Sequence, residues 1–365
     1  MNKAELKNFI KEECGDPAVG ICDVSDLSAS QVDDLKKTNT TMAKYSPIFD
    51  PGTPVLHPGE FLDNARTALV IGSNSYFGRP ELPGSPPRGE IMNFFVNQDC
   101  IVYSGGVGDK ITTFLANQGY QSASAANGLP LKIMSARSGL GTYGKNGIIQ
   151  APGKGSWLAL NVIITDAELE PDEPLEDACG DCTNCQEACP THALDTPYTC
   201  DIEKCLTLHG IYNQIGIPDH IQDKMGARIA HCNACLDACP KNKKLPLQTE
   251  VSVPEDLVYP EIAPLLTMTE DMFQEKYGGS FLEFVMMDKK YLQRNAAIAL
   301  GNYGDRDYAP LLLQTLETHP EEIVRCAAAR SLGKLKATED MDKFLADPSV
   351  VVQKAVIRAF EDSKA

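Results

Sequence analysis

The sequence predicts an α+β protein of several domains, and three observations along its 365 residues carry that prediction. Helix-like and strand-like segments alternate through the first half of the chain. Most of the 13 cysteines then fall between residues 179 and 239, and a helical motif rich in small residues recurs after residue 290. A chain of this length is expected to hold two or three domains. We expect an α/β domain at 1–170, a cysteine-rich module at 171–250, a linker at 251–280 and helical repeats at 281–365.

Composition argues against a membrane or secreted protein. Hydrophobic residues make up 43% of the chain, but the longest apolar runs, such as "WLALNVIIT", are too short to cross a bilayer. The first residues, "MNKAELKNFIKEEC", lack the uncharged core of a signal peptide. Cysteines that are clustered without a secretion signal favour metal binding over disulfides. These features predict a cytoplasmic protein with no membrane association.

The net charge of −17 is spread along the chain and does not favour a nucleic-acid partner. Residues 1–170 carry 14 basic and 18 acidic side chains, residues 171–250 carry 6 and 13, and residues 251–365 carry 13 and 19. None of these segments has the positive excess that neutralisation of phosphates favours.

The first 170 residues alternate between helical and strand patterns. "KAELKNFIKEE" and "KITTFLANQGYQS" have the apolar spacing of amphipathic helices, and the second is expected to end near Gly119. "TALVIGSNSYF" and "WLALNVIIT" (157–165) are typical of buried strands, with a proline-rich loop at 78–90 between them. The pattern predicts an α+β or α/β domain.

Proline and charge then mark the later boundaries. "DAELEPDEPLED" (166–177) is an acidic linker, and the four prolines between residues 246 and 264 predict a connector. Beyond it, "VRCAAARSLGKL" (324–335) resembles "LQRNAAIALGNY" (292–303), and "VQKAVIRAF" (352–360) is a weaker third copy. Paired helices that stack through small residues predict a short HEAT-like array, and a plain helical bundle is the alternative.

The cysteine spacing is the strongest chemical signal. Cys179-x2-Cys182-x2-Cys185-x3-Cys189-Pro190 is the bacterial ferredoxin run, in which three cysteines hold one [4Fe–4S] cube and the fourth ligates another. Zinc sites use separate C-x2-C pairs that close at four ligands, so this unbroken run disfavours zinc. The segment therefore predicts a double [4Fe–4S] ferredoxin-like module that relays single electrons.

A second motif, Cys232-x2-Cys235-x3-Cys239-Pro240, has the same ending but lacks one cysteine at its start. Cys200 or Cys205 can supply the missing ligand. We expect the first cluster to be held by Cys179, Cys182, Cys185 and Cys239, and the second by Cys189, Cys232, Cys235 and one of those two. The isolated Cys14, Cys22, Cys100 and Cys326 are expected to be buried small hydrophobes.

The sequence resembles the epoxyqueuosine reductases, relatives of the reductive dehalogenases. The resemblance rests on "SARSGLGTYGKNGIIQAPGKGSWLALNVIITD", "CGDCTNCQEACPTHALDTPYTCDIEKC", "GARIAHCNACLDACPKN" and "RNAAIALGN", and it is thin before residue 120. It implies a cobalamin-binding α/β domain, a double-cluster module and HEAT-like repeats in one chain. It also favours Cys205 over Cys200 as the remaining ligand of the second cluster, and it implies electron flow through both cubes to cobalamin.

The resemblance places the cobalamin contacts in the glycine-rich "SGLGTYGKNG" (138–147), where backbone without side chains can approach a corrin closely. The expected contacts are Arg137, Gly139, Gly141, Tyr143, Gly144, Lys145 and Asn146. The alternative is a tight helix-to-strand connection that binds nothing.

One position departs from the family. The family carries an acidic proton donor fourteen residues before the GLG, and Ala125 stands there in this chain. No Asp or Glu lies between Lys110 and Asp166, and a general acid must reach the reacting atom. Tyr103 and Tyr143 are therefore the candidate proton donors, since the dehalogenase relatives use a tyrosine; the alternative is that each is a buried structural tyrosine.

These features predict a cobalamin-dependent iron–sulfur oxidoreductase that reduces a substrate other than tRNA. An external electron donor, such as a ferredoxin or flavodoxin, would supply the clusters. Two alternatives stay open. The chain is an electron-transfer partner that docks another enzyme or corrinoid protein at its acidic repeats, or it is a genuine epoxyqueuosine reductase with an unusual proton donor.

Overall fold

The computed structural model describes residues 1–49, 57–78, 85–96, 98–125, 128–177, 179–249 and 253–364. In chain order the strands are β1 (Ala18–Asp23), β2 (Thr67–Asn74), β3 (Glu90–Ile91), β4 (Ser122–Ser124), β5 (Thr142–Tyr143), β6 (Ile149–Gln150), β7 (Leu158–Thr165) and β8 (Arg228–Ala230). The helices of the first domain are α1 (Lys3–Glu13), α2 (Ala29–Ala43), α3 (Asn93–Val96), α4 (Gln98–Asn117) and α5 (Leu131–Arg137). The two long strands and both amphipathic helices expected in this domain are therefore present.

A four-stranded sheet in the order β1-β2-β7-β4 forms the centre of the first domain, and all its pairings are antiparallel. Successive side chains of a strand point to opposite faces. Leu69 and Ile71 of β2 thus pack against α1 and α4, while Ala68 and Val70 pack against the side that carries α5. Both faces are covered, which explains why β2 reads as a continuous apolar run.

The cysteine-rich module contains short elements around its loops. These are α6 (Asn184–Glu187), a π-helical turn (Leu208–Tyr212), α7 (Asp219–Met225) and α8 (Ala234–Asp237). Its strand β8 pairs in parallel with β3 of the first domain. This pairing fixes the module against the first domain, just before the second cysteine motif.

The segment predicted as a linker is folded. Residues 253–280 hold α9 (Glu255–Val258), α10 (Ile262–Leu265) and α11 (Glu270–Tyr277), and Val258, Ile262 and Phe273 lie in the same apolar core as the repeats. Proline is tolerated at the start of a helix, and Pro254 directly precedes α9. The prolines therefore delimit short helices here.

The C-terminal region is a stack of helices: α12 (Phe281–Met286), α13 (Lys289–Tyr303), α14 (Ala309–Thr318), α15 (Glu322–Lys334) and α16 (Val350–Asp362). The recurring small residues lie where these helices approach each other. A Cβ added to Gly301 of α13 would lie 2.6 Å from the Cβ of Ser331, and one added to Gly333 would lie 2.7 Å from the Cα of Ala359. The motif repeats because each helix needs such a close contact with the next. Within the described residues, no helix is both long and apolar enough to span a membrane.

Candidate redox site and cofactor cavity

The first predicted cysteine group comes together in the structure. Burial raises the pKa of the Cys185 thiol, and Cys179, Cys239 and Cys182 raise it further because they lie close by. The loop is shaped by Asp177, whose carboxylate accepts hydrogen bonds from the backbone N–H groups of residues 179 and 180 at 2.9 and 3.2 Å. Three thiols from one loop and a fourth from the second motif thus lie near one another, and that they hold one cluster stays a prediction.

The second group forms between the first domain and the repeats. Burial raises the pKa of the Cys235 thiol to about 12, and Cys232 and Cys205 also contribute to that rise. Cys189, assigned to the same cluster, accepts a hydrogen bond from the backbone N–H of Ala193 at 3.3 Å. Its place in this cluster stays a prediction.

Cys200 and Cys205 lie side by side, so the structure brings both candidates for the remaining ligand to the second group. A hydrogen bond from Cys200 lowers the pKa of the Cys205 thiol, and the backbone N–H groups of Thr207 and Leu208 act in the same direction. The pKa of Cys200 is raised in return. Both thiols therefore remain candidates for the fourth ligand, and the choice of Cys205 stays a prediction from the family resemblance.

Among the described residues, no three His, Cys, Asp or Glu side chains are grouped as one metal ion would require. A [4Fe–4S] cube instead binds one thiolate at each of four separated irons. The described cysteines are also all free thiols.

A cavity of about 1000 Å³ lies beside the second cysteine group. It is bounded by one face of α2, by α5, by the start of β7, by Met92 and Phe95, and by His231 of the cysteine-rich module. Its polar lining consists of Gln31, Asp34, Thr38, Ser75, Lys132, Arg137, Tyr143 and His231. Its size is at the upper end of the range for small-molecule and cofactor sites.

Two residues connect this cavity to the second cysteine group. His231 lines the cavity and directly precedes Cys232 in the chain. Lys132 keeps an exposed surface because it borders the cavity, yet the surrounding protein lowers its pKa by desolvation, while the thiols of Cys200 and Cys205 oppose that shift. The Lys132 ammonium donates a hydrogen bond to the Gly147 carbonyl at 3.2 Å. Lys132 thus places a positive charge between the cavity and the cysteines.

The residues predicted to bind cobalamin separate into two groups. Arg137 and Tyr143 line the cavity, and Arg137 also forms an ion pair with Asp23. Lys145 and Asn146 turn instead toward the cysteine-rich module. The Lys145 ammonium donates to the Gly180 carbonyl of the first cysteine loop at 2.6 Å, and the Asn146 amide lies beside Cys235. These two side chains therefore contact cluster segments.

The space next to the predicted glycines is filled by other parts of the protein. A Cβ on Gly139 would lie 2.4 Å from the Glu173 carbonyl oxygen, one on Gly141 would lie 2.6 Å from the Gln150 carbonyl oxygen, and one on Gly144 would meet the Gln150 side chain. This crowding favours the alternative of a tight helix-to-strand connection. That these glycines also contact a cofactor stays a prediction.

Of the positions considered for proton donation, the structure describes the side chains of residues 125 and 143. Ala125 is buried in the apolar core beneath the sheet, and its backbone N–H donates to the Val162 carbonyl at 2.9 Å. Tyr103 belongs to α4, but its side chain lies outside the described residues. Burial raises the pKa of the Tyr143 phenol, so it is protonated at neutral pH and can act as an acid.

Sequence reasoning missed Asp34, Lys132 and His231. They come from a surface helix, from α5 and from the start of the second cysteine motif, and no local pattern marks them as neighbours. Asp34 restores a carboxylate to the cavity wall although none occurs between residues 110 and 166.

Gly139→Ala is expected to destabilise the fold strongly. Gly139 has a φ of +68°, where an alanine costs about 1–2 kcal/mol, and overpacking against Glu173 adds about 1–3 kcal/mol. Gly153→Ala is the matched control, because Gly153 has a φ of +70° and open space around its Cα. Denaturant unfolding of both variants measures the difference. Equal losses of unfolding free energy would contradict the close contact with Glu173.

Comparisons with known proteins agree with this architecture. Residues 178–242 match a 4Fe-4S double cluster binding domain, and residues 284–361 match HEAT repeats. An epoxyqueuosine reductase from Synechocystis is 33% identical over 245 residues, which span 65% of this chain and 84% of that protein. One from Bacillus anthracis is 37% identical over 207 residues, or 56% of this chain, and the chain spans about half, 53%, of its length.

A solved epoxyqueuosine reductase, in complex with an epoxyqueuosine-modified tRNA stem loop, has the same fold. It superposes with a TM-score of 0.86 at 26% identity and covers 100% of this chain and 99% of its own. The predicted fold class, the double-cluster module and the HEAT-like repeats are confirmed by these matches. The expectation that tRNA is an improbable partner finds no support in them, because that expectation rested on overall charge and this similar protein was solved with tRNA.

Proposed function

Because this chain belongs to the epoxyqueuosine reductase family, we propose that it removes the epoxide oxygen from an epoxyqueuosine-type nucleoside in tRNA. The observation that carries the proposal is the large cavity whose wall residues Lys132 and His231 also neighbour the second cysteine group. Loss of an epoxide oxygen to leave a double bond consumes two electrons and two protons and releases water. The reaction therefore needs a redox relay and a proton donor at one cavity.

The cavity wall fits a large amphipathic cofactor such as cobalamin. Met42 is the only residue of α2 buried by protein among those described, although α2 is 15 residues long. Gln31, Asp34, Leu35 and Thr38, spaced as one helix face, border the cavity instead. A helix with so little packing of its own is expected to pack against a bound group. When bound, cobalamin would supply a strongly reducing centre that protein side chains lack.

Four polar side chains are proposed to hold that cofactor. Gln31 and Thr38 offer an amide and a hydroxyl from α2, and Arg137 and Tyr143 face them from the other side. The ion pair with Asp23 and a hydrogen bond to the Ser25 carbonyl at 2.7 Å hold the Arg137 guanidinium in place. A fixed donor of this kind orients a ligand at little entropic cost.

Electrons are proposed to enter at the first cluster and leave from the second. The second group adjoins the cavity, whereas the first loop has exposed residues, Gly180 and Asp181, between two of its cysteines. An external donor such as a ferredoxin or flavodoxin would dock at this loop. The positive charge of Lys132 beside the second group favours the arrival of an electron there.

We assign proton donation to Tyr143. It is the cavity-lining phenol, and its raised pKa keeps the proton in place until the substrate develops negative charge. Asp34 is the carboxylic alternative at the same cavity, but it lies on the exposed side of α2. Lys36 and Lys37, next to it on α2, offer positive charge for an RNA backbone despite the acidic total.

The decisive test is the conversion of epoxyqueuosine in tRNA. The chain would be expressed in a bacterial strain that lacks its own epoxyqueuosine reductase, and the tRNA nucleosides would be separated and identified by mass spectrometry. We expect queuosine to reappear. If epoxyqueuosine persists although the expressed protein carries both clusters and cobalamin, the proposed substrate is wrong.

A further inference from the structure

The motif "RNAAIALGN" on α13 contains two residues that helix stacking leaves unexplained. Its small residues pack against α15, but Arg294 and Asn295 are a charged and a polar side chain, 2% and 0% exposed. Burial of such groups is costly unless they have partners. Their partners lie outside the repeats, in the cysteine-rich module.

Arg294 and Asn295 bind backbone carbonyls of two separate segments. The Arg294 guanidinium donates to the carbonyls of Asn213 at 2.6 Å and His209 at 3.2 Å, and to the Asn295 side-chain oxygen at 2.9 Å. The Asn295 amide donates to the carbonyls of Gly210 and Ile229, both at 2.7 Å. One pair of neighbouring side chains thus ties the π-helical turn to β8.

These two segments deliver ligands to the second cluster. The π-helical turn begins three residues after Cys205, and the backbone N–H groups of Thr207 and Leu208 at its start point to the Cys205 thiol. β8 ends two residues before Cys232. Arg294 binds the carbonyl of His209, the second residue of the turn, and that of Asn213, which directly follows it. The repeat helix therefore sets the separation between Cys205 and the second cysteine motif.

The positive charge of Arg294 is buried inside the protein. No ion pair of Arg294 with a carboxylate occurs in the described part of the chain, and its nearest ring is that of Tyr291, 5.5 Å away. It remains a cation at neutral pH, because burial lowers its pKa only to about 9. Arg294 binds the carbonyl of His209, whose backbone N–H donates to the Cys205 carbonyl at 3.5 Å. A buried cation without an ion-pair partner favours an anion in its surroundings, and this hydrogen-bonded connection leads to a thiolate ligand of the second cube.

We propose that Arg294 and Asn295 are positioning residues for the second cluster: together they hold its two ligand segments in register, and the Arg294 charge favours its reduced state. The HEAT-like repeats are then a structural part of the redox site. The proposal rests on the double-cluster module and needs neither cobalamin nor a particular substrate.

Iron content and redox titration of anaerobically reconstituted protein test the proposal. Arg294→Gln is expected to bring iron from about eight toward about four per chain, and any second cluster that remains should have a lower midpoint potential than in the wild type. Arg294→Lys, which keeps the charge, should keep the potential near the wild-type value. Asn295→Ala should reduce iron loading without shifting the potential, since it removes the two hydrogen bonds that the amide donates and the one that it accepts from Arg294 but leaves the Arg294 charge in place.

Arg306→Gln is the matched control, because Arg306 is an exposed arginine of the same repeats that pairs only with Glu339 among the ion pairs described. It should behave as the wild type in both measurements. Circular dichroism of the iron-free proteins separates cluster loss from a failure to fold, and Asn295→Ala carries the test if Arg294→Gln does not fold. Full iron loading and an unchanged potential in Arg294→Gln would overturn the proposal. So would full loading in Asn295→Ala, if Arg294→Gln does not fold.

Discussion

Cys205→Ala is expected to halve the iron content, from about eight to about four per chain, and to abolish substrate reduction. Cys205 accepts backbone hydrogen bonds from the turn that follows it, and its pKa is lowered by the neighbouring Cys200 thiol. In the proposed assignment, its loss removes one of the four thiolates that hold the second cube, and this cube is the one proposed to pass electrons to the cavity. Electrons that reach the first cluster then have no path to the cavity.

Cys200→Ala is the matched control, since Cys200 lies beside Cys205 and its substitution also removes one sulfur atom. This variant is expected to retain about eight irons. Iron and sulfide analysis together with electron paramagnetic resonance of the reduced proteins distinguishes one cluster from two interacting ones. If Cys200→Ala loses iron and Cys205→Ala does not, the ligand assignment is reversed.

Tyr143→Phe is expected to lower the turnover of substrate by about 10²–10⁴-fold, the usual contribution of a positioned acid. The substitution removes only the phenolic oxygen that faces the cavity, so the ring continues to pack beside α5 and β6. Iron content and the unfolding transition should stay as in the wild type, and turnover is compared at equal cobalamin occupancy because Tyr143 is also proposed to contact the cofactor. Single-turnover reduction followed by nucleoside analysis measures the effect.

Two further variants decide between proton donors. Tyr303→Phe removes an exposed phenol on α13, 43% accessible, and should leave turnover unchanged. Asp34→Asn removes the only other acidic candidate that we identify at the cavity wall. Wild-type turnover in Tyr143→Phe combined with a large loss in Asp34→Asn would transfer the role to Asp34.

The elements that could be predicted from sequence are those whose signal is local. β2 and β7 are continuous apolar runs, and the cysteine spacing predicts a single loop that carries three thiolate ligands. The start of α4 could not be predicted, since Gly105, Gly106 and Gly108 interrupt its helical pattern. Gly108 is needed there because a Cβ would approach the Asn161 amide of the sheet to 2.9 Å.

The cavity could not be derived because it is made by segments far apart in the chain. α2 carries no motif, and its role emerges only from its position over α5 and β7. The glycine-rich stretch was predicted to bind the cofactor through its backbone, but only some of its residues line the cavity. Tyr143 and Arg137 reach the cavity, whereas Lys145 and Asn146 reach the cluster segments and the glycines admit the protein's own backbone.

The sequence pattern of the repeats predicts helix stacking, but it does not explain every residue in the motif. Gly301 and Gly333 explain why small residues recur, because the helices meet there at backbone distance. The purpose of Arg294 and Asn295 required the structure, since their partners lie about 65 to 85 positions away in sequence. Hydrogen bonds between residues so far apart in the chain produce no periodic pattern in the sequence.

One ultraviolet–visible titration tests the central claim, that two clusters feed a cobalamin held in the cavity. The protein would be reconstituted anaerobically with iron, sulfide and cobalamin, freed of unbound cofactor and reduced stepwise. We predict one equivalent of bound cobalamin beside about eight irons, with corrin bands that change as the clusters are reduced. A protein that carries both clusters but retains no corrin absorbance would contradict the account.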